Sequence, residues 1–576
     1  MTSQLQAISQ YIWDMKYRYR LGESLIDHSL IDTWQRVACA VAAVEKQPVQ
    51  AKWQQAFYHI LEDFQFLPGG RILAGAGTQH EVTLLNCFVM DIAEDALPAI
   101  FTALSEGALT LQQGGGVGYD FSVLRPRGEL VAKTGANAAG PVAFMRIWDS
   151  MCSAMLSTGA RRGAMMGVLR CDHPDIEQFI AAKSDPHELR HFNVSVMVSD
   201  AFMTAVQQDQ SWPLVFPANS NQVYRRVSAR ILWEKMIRAA YDHAEPGVLF
   251  GDTINRMNNL HYREQINATN PCGEIPLPAY GACNLGSINL TQFVEAAFTS
   301  QAKIKWQQME EVIRIATRFL DNVIDASHYP LESQRQQALG SRRIGLGVTG
   351  LADSFVMLGI EYASQEARAL AGEIMQRIMQ VTWQTSIELA REKGVFPFYA
   401  REYLQGEFVQ TLNPSLHEAL KKYGIRNSHH NTIAPTGTIS LLANNVSNGI
   451  EPIYHAAYKR YVRSLQNESL VFQVNDYAYQ LWQERGEQNA LPPAWQDTQS
   501  LMPEAHLKMQ AAMQVYIDNA ISKTINIPAD FPFEKCADVY TQAYTLGLKG
   551  CTIFRPNPVT GTVLEAEENV KCCLHD

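Results

Sequence analysis

The sequence predicts an α/β fold rich in parallel strands, and three observations carry that expectation. Segments of helical period alternate with short apolar or β-branched runs. Those runs end in Gly, Pro or Asn. The alternation continues along the chain with no low-complexity linker and no internal repeat. In chain order, amphipathic segments predict helices near 30–46, 98–112, 141–156, 229–243, 305–326, 364–393, 466–484 and 505–521. Between them TLLNCFVM (83–90), GVGYDFSVL (116–124), FNVSVMV (192–198), RIGLGV (343–348), NTIAP (431–435), KTINIP (523–528) and CTIFRP (551–556) predict strands. Residues 1–80 read as a helical lobe, 81–560 as one large domain, and 561–576, acidic and then thiol-bearing, as a mobile tail.

A chain of 576 residues with 47% hydrophobic and 18% charged content has the makeup of a globular protein with a sizeable core. Its formal net charge of −10 argues against a dedicated nucleic-acid surface. Any anionic ligand must then be held by backbone amides and a few arginines. The opening MTSQLQAISQYIWDMKYRYR lacks the basic start and apolar run of a secretory signal. No apolar stretch reaches the ~18 residues of a spanning helix. The expectation is a cytoplasmic chain without membrane contact. Ten cysteines in this length are no disulfide scaffold, and none forms CxxC or a clear zinc set, so no metal site is expected. Cys39, Cys152, Cys171, Cys536 and Cys551 read as small buried apolar residues.

The stretch NATNPCGEIPLPAYGACNLGSINL (267–290) is different. Cys272 lies two residues after Asn270 and two before Glu274, on a loop stiffened by Pro271, Pro276 and Pro278. In extended backbone, residues i and i+2 face one side, so the amide, thiol and carboxylate can meet one ligand. The carboxylate suits a general base. The same negative neighbour raises a thiol pKa and disfavours thiolate chemistry, but leaves chemistry at a neutral sulfur open. Cys283 follows eleven positions later.

Two further loops are rich in glycine and hydroxyls. QQGGGVGYD (112–120) lacks the dinucleotide spacing and favours a tight strand start over a phosphate site. TGARRGAMM (158–166) reads equally as a ligand loop and as a solvated turn. In APTGTIS (434–440), Pro435, Thr436, Gly437, Thr438 and Ser440 offer hydroxyls and unhindered amides. They suit either an ordinary helix cap or a phosphate site at a helix start. Cys572 and Cys573 are accidental thiols of a loose end or a mobile dithiol that exchanges with a buried disulfide.

Taken together, NCFVM (86–90), GGGVGYDFSVLRPRG (114–128), GARRGAMMGVL (159–169), NPCGEIPL (270–277), GACNLGSINL (281–290), RRIGLGVTGLAD (342–353), APTGTISLLANNVSNGIEP (434–452) and KGCTIF (549–554) resemble the large catalytic chain of ribonucleotide reductase, from about Tyr17 to Pro556. The resemblance implies a ten-stranded α/β barrel threaded by a finger loop and preceded by the helical N-terminal lobe. It implies that Cys272, at the loop tip, forms the thiyl radical, that Glu274 takes the 3′-hydroxyl proton, and that Asn270 holds the ribose hydroxyls. Cys87 and Cys283 match the redox pair, with Cys572 and Cys573 as tail thiols that restore it. The adjacency of those two departs from the family's wider spacing, because a vicinal disulfide closes a strained small ring. Asn86 and the APTGTIS loop match the substrate site. Arg125 matches the site of a deoxynucleotide effector, with Asp95 and Lys133 in the same regions. KSDPHELRHFN (183–193) takes the place of the loop that relays effector identity, with Arg190 as its contact.

The radical source implied is adenosylcobalamin. The Cys272–Cys283 spacing, GRILAGAGT (70–78) and GCTIF resemble that class. Phe554 stands where the oxygen-dependent class has its tyrosine pair, and Gly561 lacks a glycyl-radical motif. The resemblance implies a ribonucleotide substrate, a diphosphate by family frequency. It also implies deoxynucleotide effectors, a thioredoxin-like reductant, a homodimer and no N-terminal ATP-sensing domain. The alternatives are an oxygen-dependent large subunit needing a metal-bearing partner and a catalytically silent nucleotide-binding regulator.

Overall fold

The computed structural model describes residues 5–131, 135–155, 163–217, 222–463, 469–486, 490–556 and 564–566. Nine strands form one path. They are β1 (Cys87–Val89), β2 (Gly116–Asp120), β3 (Met165–Arg170), β4 (Phe192–Val198), β5 (Gly247–Phe250), β6 (Ala282–Asn289), β7 (Ile344–Thr349), β8 (Thr524–Asn526) and β9 (Gly550–Phe554), in the spatial order β7–β6–β1–β2–β3–β4–β5–β9–β8. Strands β1 to β5 run parallel to one another. So do β6 with β7 and β9 with β8. Antiparallel pairing occurs at two joints, β6 against β1 and β5 against β9.

The two ends of this path meet. Leu346 of β7 bridges to Asn431, and Ile433 bridges to Ile521, which runs on into β8; both bridges are parallel. Backbone bonds from Thr432 N to Leu346 O (3.2 Å) and from Ser522 N to Ile433 O (2.8 Å) secure the joint. Segment 431–433 is thus a tenth stave. The expected ten-stranded barrel is present as two parallel halves of five joined head to tail.

Side chains alternate across the staves as strand geometry requires. Val117 and Tyr119 of β2, and Ile344, Leu346 and Val348 of β7, face outward into cores covered by helices. Val89, Met166, Val168, Met197 and Leu249 face inward. There they pack with Ile266, Ala268, Ile275 and Leu277 of an enclosed hairpin, Ala268–Thr269 against Pro276–Leu277. This hairpin is the finger loop. On β2 the inward positions are Gly116 and Gly118, and a Cβ on Gly118 would lie 1.9 Å from the Thr269 carbonyl oxygen. GVGYD is therefore a strand start, as expected, and its glycines also make room for the finger.

Most expected helices form, several within a residue of their expected ends, such as Ala229–His243 and Gln365–Lys393. The expected helix 466–484 is a correction. Ser469–Asn475 is a strand paired antiparallel with Ala457–Arg463, and a helix starts only at Tyr477. SLVFQVN alternates with period two, and the Asp476 carboxylate then caps the helix by accepting from Ala478 N (3.0 Å) and Tyr479 N (3.2 Å). Strands β3, β5 and β6 went unanticipated. Parallel strands buried on both faces lose the alternation that marks a strand in sequence. Within the segment expected to be mobile, Leu564–Ala566 adds a third strand to the same hairpin. Among the described residues, no helix is long and apolar enough to cross a membrane.

The N-terminal lobe holds α1 (Ala7–Lys16), α2 (Leu30–Ala42) and α3 (Gln47–Glu62). A reciprocal capping box between Ser29 and Asp32 starts α2. The lobe packs on α4 (Trp306–Ala326) through Phe57 and Phe319, edge to face at 5.2 Å. Glu45, just past α2, receives Arg318 Nε of α4 at 2.7 Å and Asn322 Nδ2 at 3.0 Å. Lys393 Nζ, at the end of α5 (Gln365–Lys393), reaches it at 2.8 Å. Burial pushes the Glu45 carboxyl up, but these donors outweigh it and hold the pKa down at about 2.

Two outcomes are expected. Glu45→Ala removes one of the two carboxylates on buried Arg318, which keeps its pair with Glu392, and should destabilise the chain by about 2 kcal/mol at pH 7. Because the folded pKa is depressed from 4.5 to about 2, the Glu45 contribution is whole above pH 4.5 and fades as pH falls towards 2. Denaturant titrations of both proteins across that window should converge at the acid end. Gly118→Ala should displace the finger, seen as altered alkylation of Cys272 in a folded protein.

Candidate active site

The tip of the finger is a turn built from its own sequence. Gly273 N donates to Asn270 O at 3.1 Å, Pro271 fixes φ at the second position, and Gly273 takes φ +82°. Asn270 closes the turn from within, since its Oδ1 accepts from Ile275 N at 3.0 Å. Opposite walls of the barrel hold the tip. Asn193 Nδ2 of β4 donates to Pro271 O at 2.7 Å. On the far side Thr432 Oγ1 (2.8 Å) and Ala520 N (3.0 Å) both donate to Glu274 O. Arg343, paired in the interior with Glu264, donates to Pro276 O at 2.9 Å.

This clamp points Asn270, Cys272 and Glu274 into one cavity of about 670 Å³, which Asn86 and Cys87 also line. Cys272 is exposed to it, whereas Cys87 is buried. Asn270 Nδ2 donates to Cys87 Sγ at 3.2 Å, and that sulfur lies 3.9 Å from Glu274 Oε1. Burial first, then the Glu274 charge, pushes the Cys87 thiol well above its ordinary range. Cys283 stands directly opposite Cys87 in the β1–β6 register. Antiparallel partners have Cα atoms about 4.5–5.5 Å apart, within disulfide reach. Cys283 is fully buried, its thiol donates to Asn284 O at 3.1 Å, and burial raises its pKa. Burial thus keeps both groups as neutral thiols at physiological pH.

The APTGTIS loop forms the opposite wall. Pro435, Thr436, Gly437 and Thr438 line the cavity, and a short helix, Gly437–Leu442, begins there. Thr436 sits at φ +55°, and a Cβ on Gly437 would meet nothing within 4 Å. The first amides of this helix therefore lie beside open space, with no intrahelical partners. Ser440 corrects an expectation. It is buried, and its hydroxyl bonds Thr349 Oγ1 (2.9 Å) and Thr436 Oγ1 (3.0 Å), behind the loop rather than in the cavity.

Asp95 and Arg125 come together outside the barrel as an ion pair, Arg125 Nε to Asp95 Oδ2 at 2.5 Å. Arg190 is exposed on the segment leading into β4. Lys133, Arg161, Arg162, Cys572 and Cys573 lie outside the described residues. Sequence reading missed the cavity wall from the N-terminal lobe, which includes Tyr17, Arg71 and His80. It also missed Asn193 and Arg343 as holders of the finger. A polar residue at an inward strand position of FNVSVMV was the available signal for Asn193.

The description "Ribonucleotide reductase, barrel domain" matches residues 85–554, and "Ribonucleotide reductase, all-alpha domain" matches residues 3–81. Over 560 residues the chain is 39% identical to a vitamin B12-dependent ribonucleoside-diphosphate reductase of Mycobacterium tuberculosis (strain CDC 1551 / Oshkosh), covering 92% of this chain and 76% of that one. A protein of the same name from Thermoplasma acidophilum is 37% identical over 529 residues, with 88% and 66% covered. The ribonucleoside-diphosphate reductase subunit alpha of Chlamydia pneumoniae is 28% identical over 502 residues, with 77% and 47% covered. A closed ten-stave barrel around a cysteine-tipped finger, matched over this length, places the chain in the ribonucleotide reductase family.

Proposed function

We propose that this chain reduces ribonucleoside diphosphates to 2′-deoxyribonucleotides by thiyl-radical chemistry, with adenosylcobalamin as the radical source. The observation that carries the reading is the meeting of Cys272, Asn270, Glu274 and Cys87 at one cavity, with Cys283 registered behind Cys87. The names of the Mycobacterium and Thermoplasma relatives support the cofactor and the diphosphate.

The cavity suits a broad cofactor. Gly116 packs on Pro271, beside Cys272, and Gly114, Gly115, Gly163 and Ala164 continue that wall. These five residues carry no side chain longer than a methyl, so beside Gly115 and Gly116 a flat ring system can come close to the sulfur, with Arg71 at its edge against Gly114. When bound, adenosylcobalamin supplies a radical that removes a hydrogen atom. Cys272 gives up its thiol hydrogen and then takes the 3′ hydrogen of the ribose. Glu274 accepts the 3′-hydroxyl proton, and Asn270 orients the hydroxyls. The 2′-hydroxyl leaves as water with a proton from the Cys87–Cys283 pair. The second thiol's hydrogen goes to C2′, the two sulfurs close as a disulfide having supplied two electrons, Glu274 returns its proton to the 3′ oxygen, and Cys272 returns hydrogen to C3′. Asn86 and the amides at Gly437 and Thr438 hold the sugar and phosphates.

A deoxynucleotide effector binds near Asp95, Arg125 and Lys133, and Arg190 carries its identity towards the substrate. A thioredoxin-like protein, through Cys572 and Cys573, restores the pair. The enzyme works in the cytoplasm as a homodimer. Helix Leu97–Gln112, which starts just after Asp95, and helix Pro141–Ala154, which packs against it, support the dimer because they expose Leu97, Phe101 and Ile147.

With adenosylcobalamin, a dithiol and a ribonucleoside diphosphate, the purified chain should yield deoxynucleotide. Cys272→Ser should reduce product to background. Cys87→Ser and Cys283→Ser should lose dithiol-driven turnover yet still bind nucleotide. Wild-type protein that neither forms product nor cleaves the cofactor overturns the proposal. By sedimentation the wild type should be a dimer at micromolar concentration and Phe101→Glu a monomer. A monomeric wild type removes the dimer.

A further inference from the structure

We infer that Asn193 is a positioning residue for Cys272. The inference rests on Cys272 being the reacting thiol.

Pro271 O belongs to the peptide group that joins Pro271 to Cys272. Asn193 Nδ2 donates to that oxygen at 2.7 Å. The turn's internal bonds use the carbonyl of Asn270 and the amides of Gly273 and Ile275, so they leave this peptide's orientation to an outside partner. On the cavity side, Gly116 lies against the Pro271 ring, where an added Cβ would stand 3.2 Å from Cγ. The tip is thus pressed by β2 and held by β4.

Asn193 itself sits in a fixed frame. Lys183 Nζ donates to Phe192 O at 2.5 Å, and Val194 N donates to Glu245 Oε1 at 3.1 Å. Lys183 and Glu245 pair with each other. The peptide groups on both sides of Asn193 are therefore tied to one ion pair, and the side chain leaves β4 from a rigid base. On the same inward face, Met197 further along β4 and Met166 and Val168 on its neighbour β3 are apolar, with only the small hydroxyl of Ser195 between. An amide among them has a specific partner to serve. Rotation of the Pro271–Cys272 peptide would swing the Cys272 Sγ, and displacements near 1 Å at a reacting atom lower rates by about 100-fold.

The test compares three variants with wild type and Cys272→Ser under the assay above. Asn193→Asp keeps the shape but replaces the donor by an oxygen facing Pro271 O. Asn193→Ala removes the side chain, and Asn193→Gln keeps a donor. Asp and Ala should lower kcat by about 10- to 100-fold, with KM within twofold and an unchanged thermal midpoint. Gln should recover most of the loss. Without any cofactor, the rate of Cys272 alkylation should also shift in Asp and Ala and return in Gln. Asn193→Asp with wild-type kcat and alkylation rate overturns the inference, as does a kcat loss that Gln shares in full. If Cys272→Ser remains active, the underlying reading fails instead, independently of Asn193.

Discussion

A finger of backbone inside a closed barrel is a liability that the rest of the molecule is arranged to meet. Peptide groups taken from water must find partners. Strand-to-strand bonds cannot serve them all, because the staves already bond one another. The hairpin's polar groups are instead met by Thr432, Ala520, Asn193 and Arg343 from opposite walls. Space is the second demand, and Gly118 meets it where Thr269 passes 1.9 Å from any would-be Cβ. The loop at the centre is therefore held as firmly as a strand, although its own pairing is only two residues long on each side.

That burial decides the chemistry available to the sulfurs. At Cys283 burial outweighs the opposing charge of Arg343, and Cys87, deprived of water, faces the Glu274 carboxylate, so both are held as thiols. A site meant for a nucleophilic thiolate would place a cation there instead. The charge nearest Cys87 belongs to Glu274, whose main chain is anchored on the side opposite Asn193. In the proposed reaction, acid–base work and sulfur work would thus fall to different residues of one short loop.

Much of this was legible in the sequence. Asn270, Cys272 and Glu274 lie close together in one stiff stretch, so their meeting was readable, although the Asn270–Gly273 turn and not extended alternation brings it about. Cys87 lies far away in sequence, and its place opposite Cys283 depends on strand register, which local pattern does not reveal. The helical lobe and the strands with alternating faces were readable for the same local reason. Strands β3 and β6 were not, since burial on both faces hides their period. Ser440 looked identical to Thr436 in a loop of hydroxyls. Only the turn shows that both hydroxyls bond behind the loop, to Thr349 and to each other, although Thr436 still lines the cavity.

The joint between β1 and β6 has a mechanical meaning. It is one of two places where the parallel halves meet antiparallel, and Cys87 and Cys283 sit on either side of it. A bond between their sulfurs would rivet one half-barrel to the other at the rim of the cavity. Under the proposed reaction each cycle would alternately weld and release a seam of the protein's own frame, and the spent enzyme would be the more tightly hooped of the two forms.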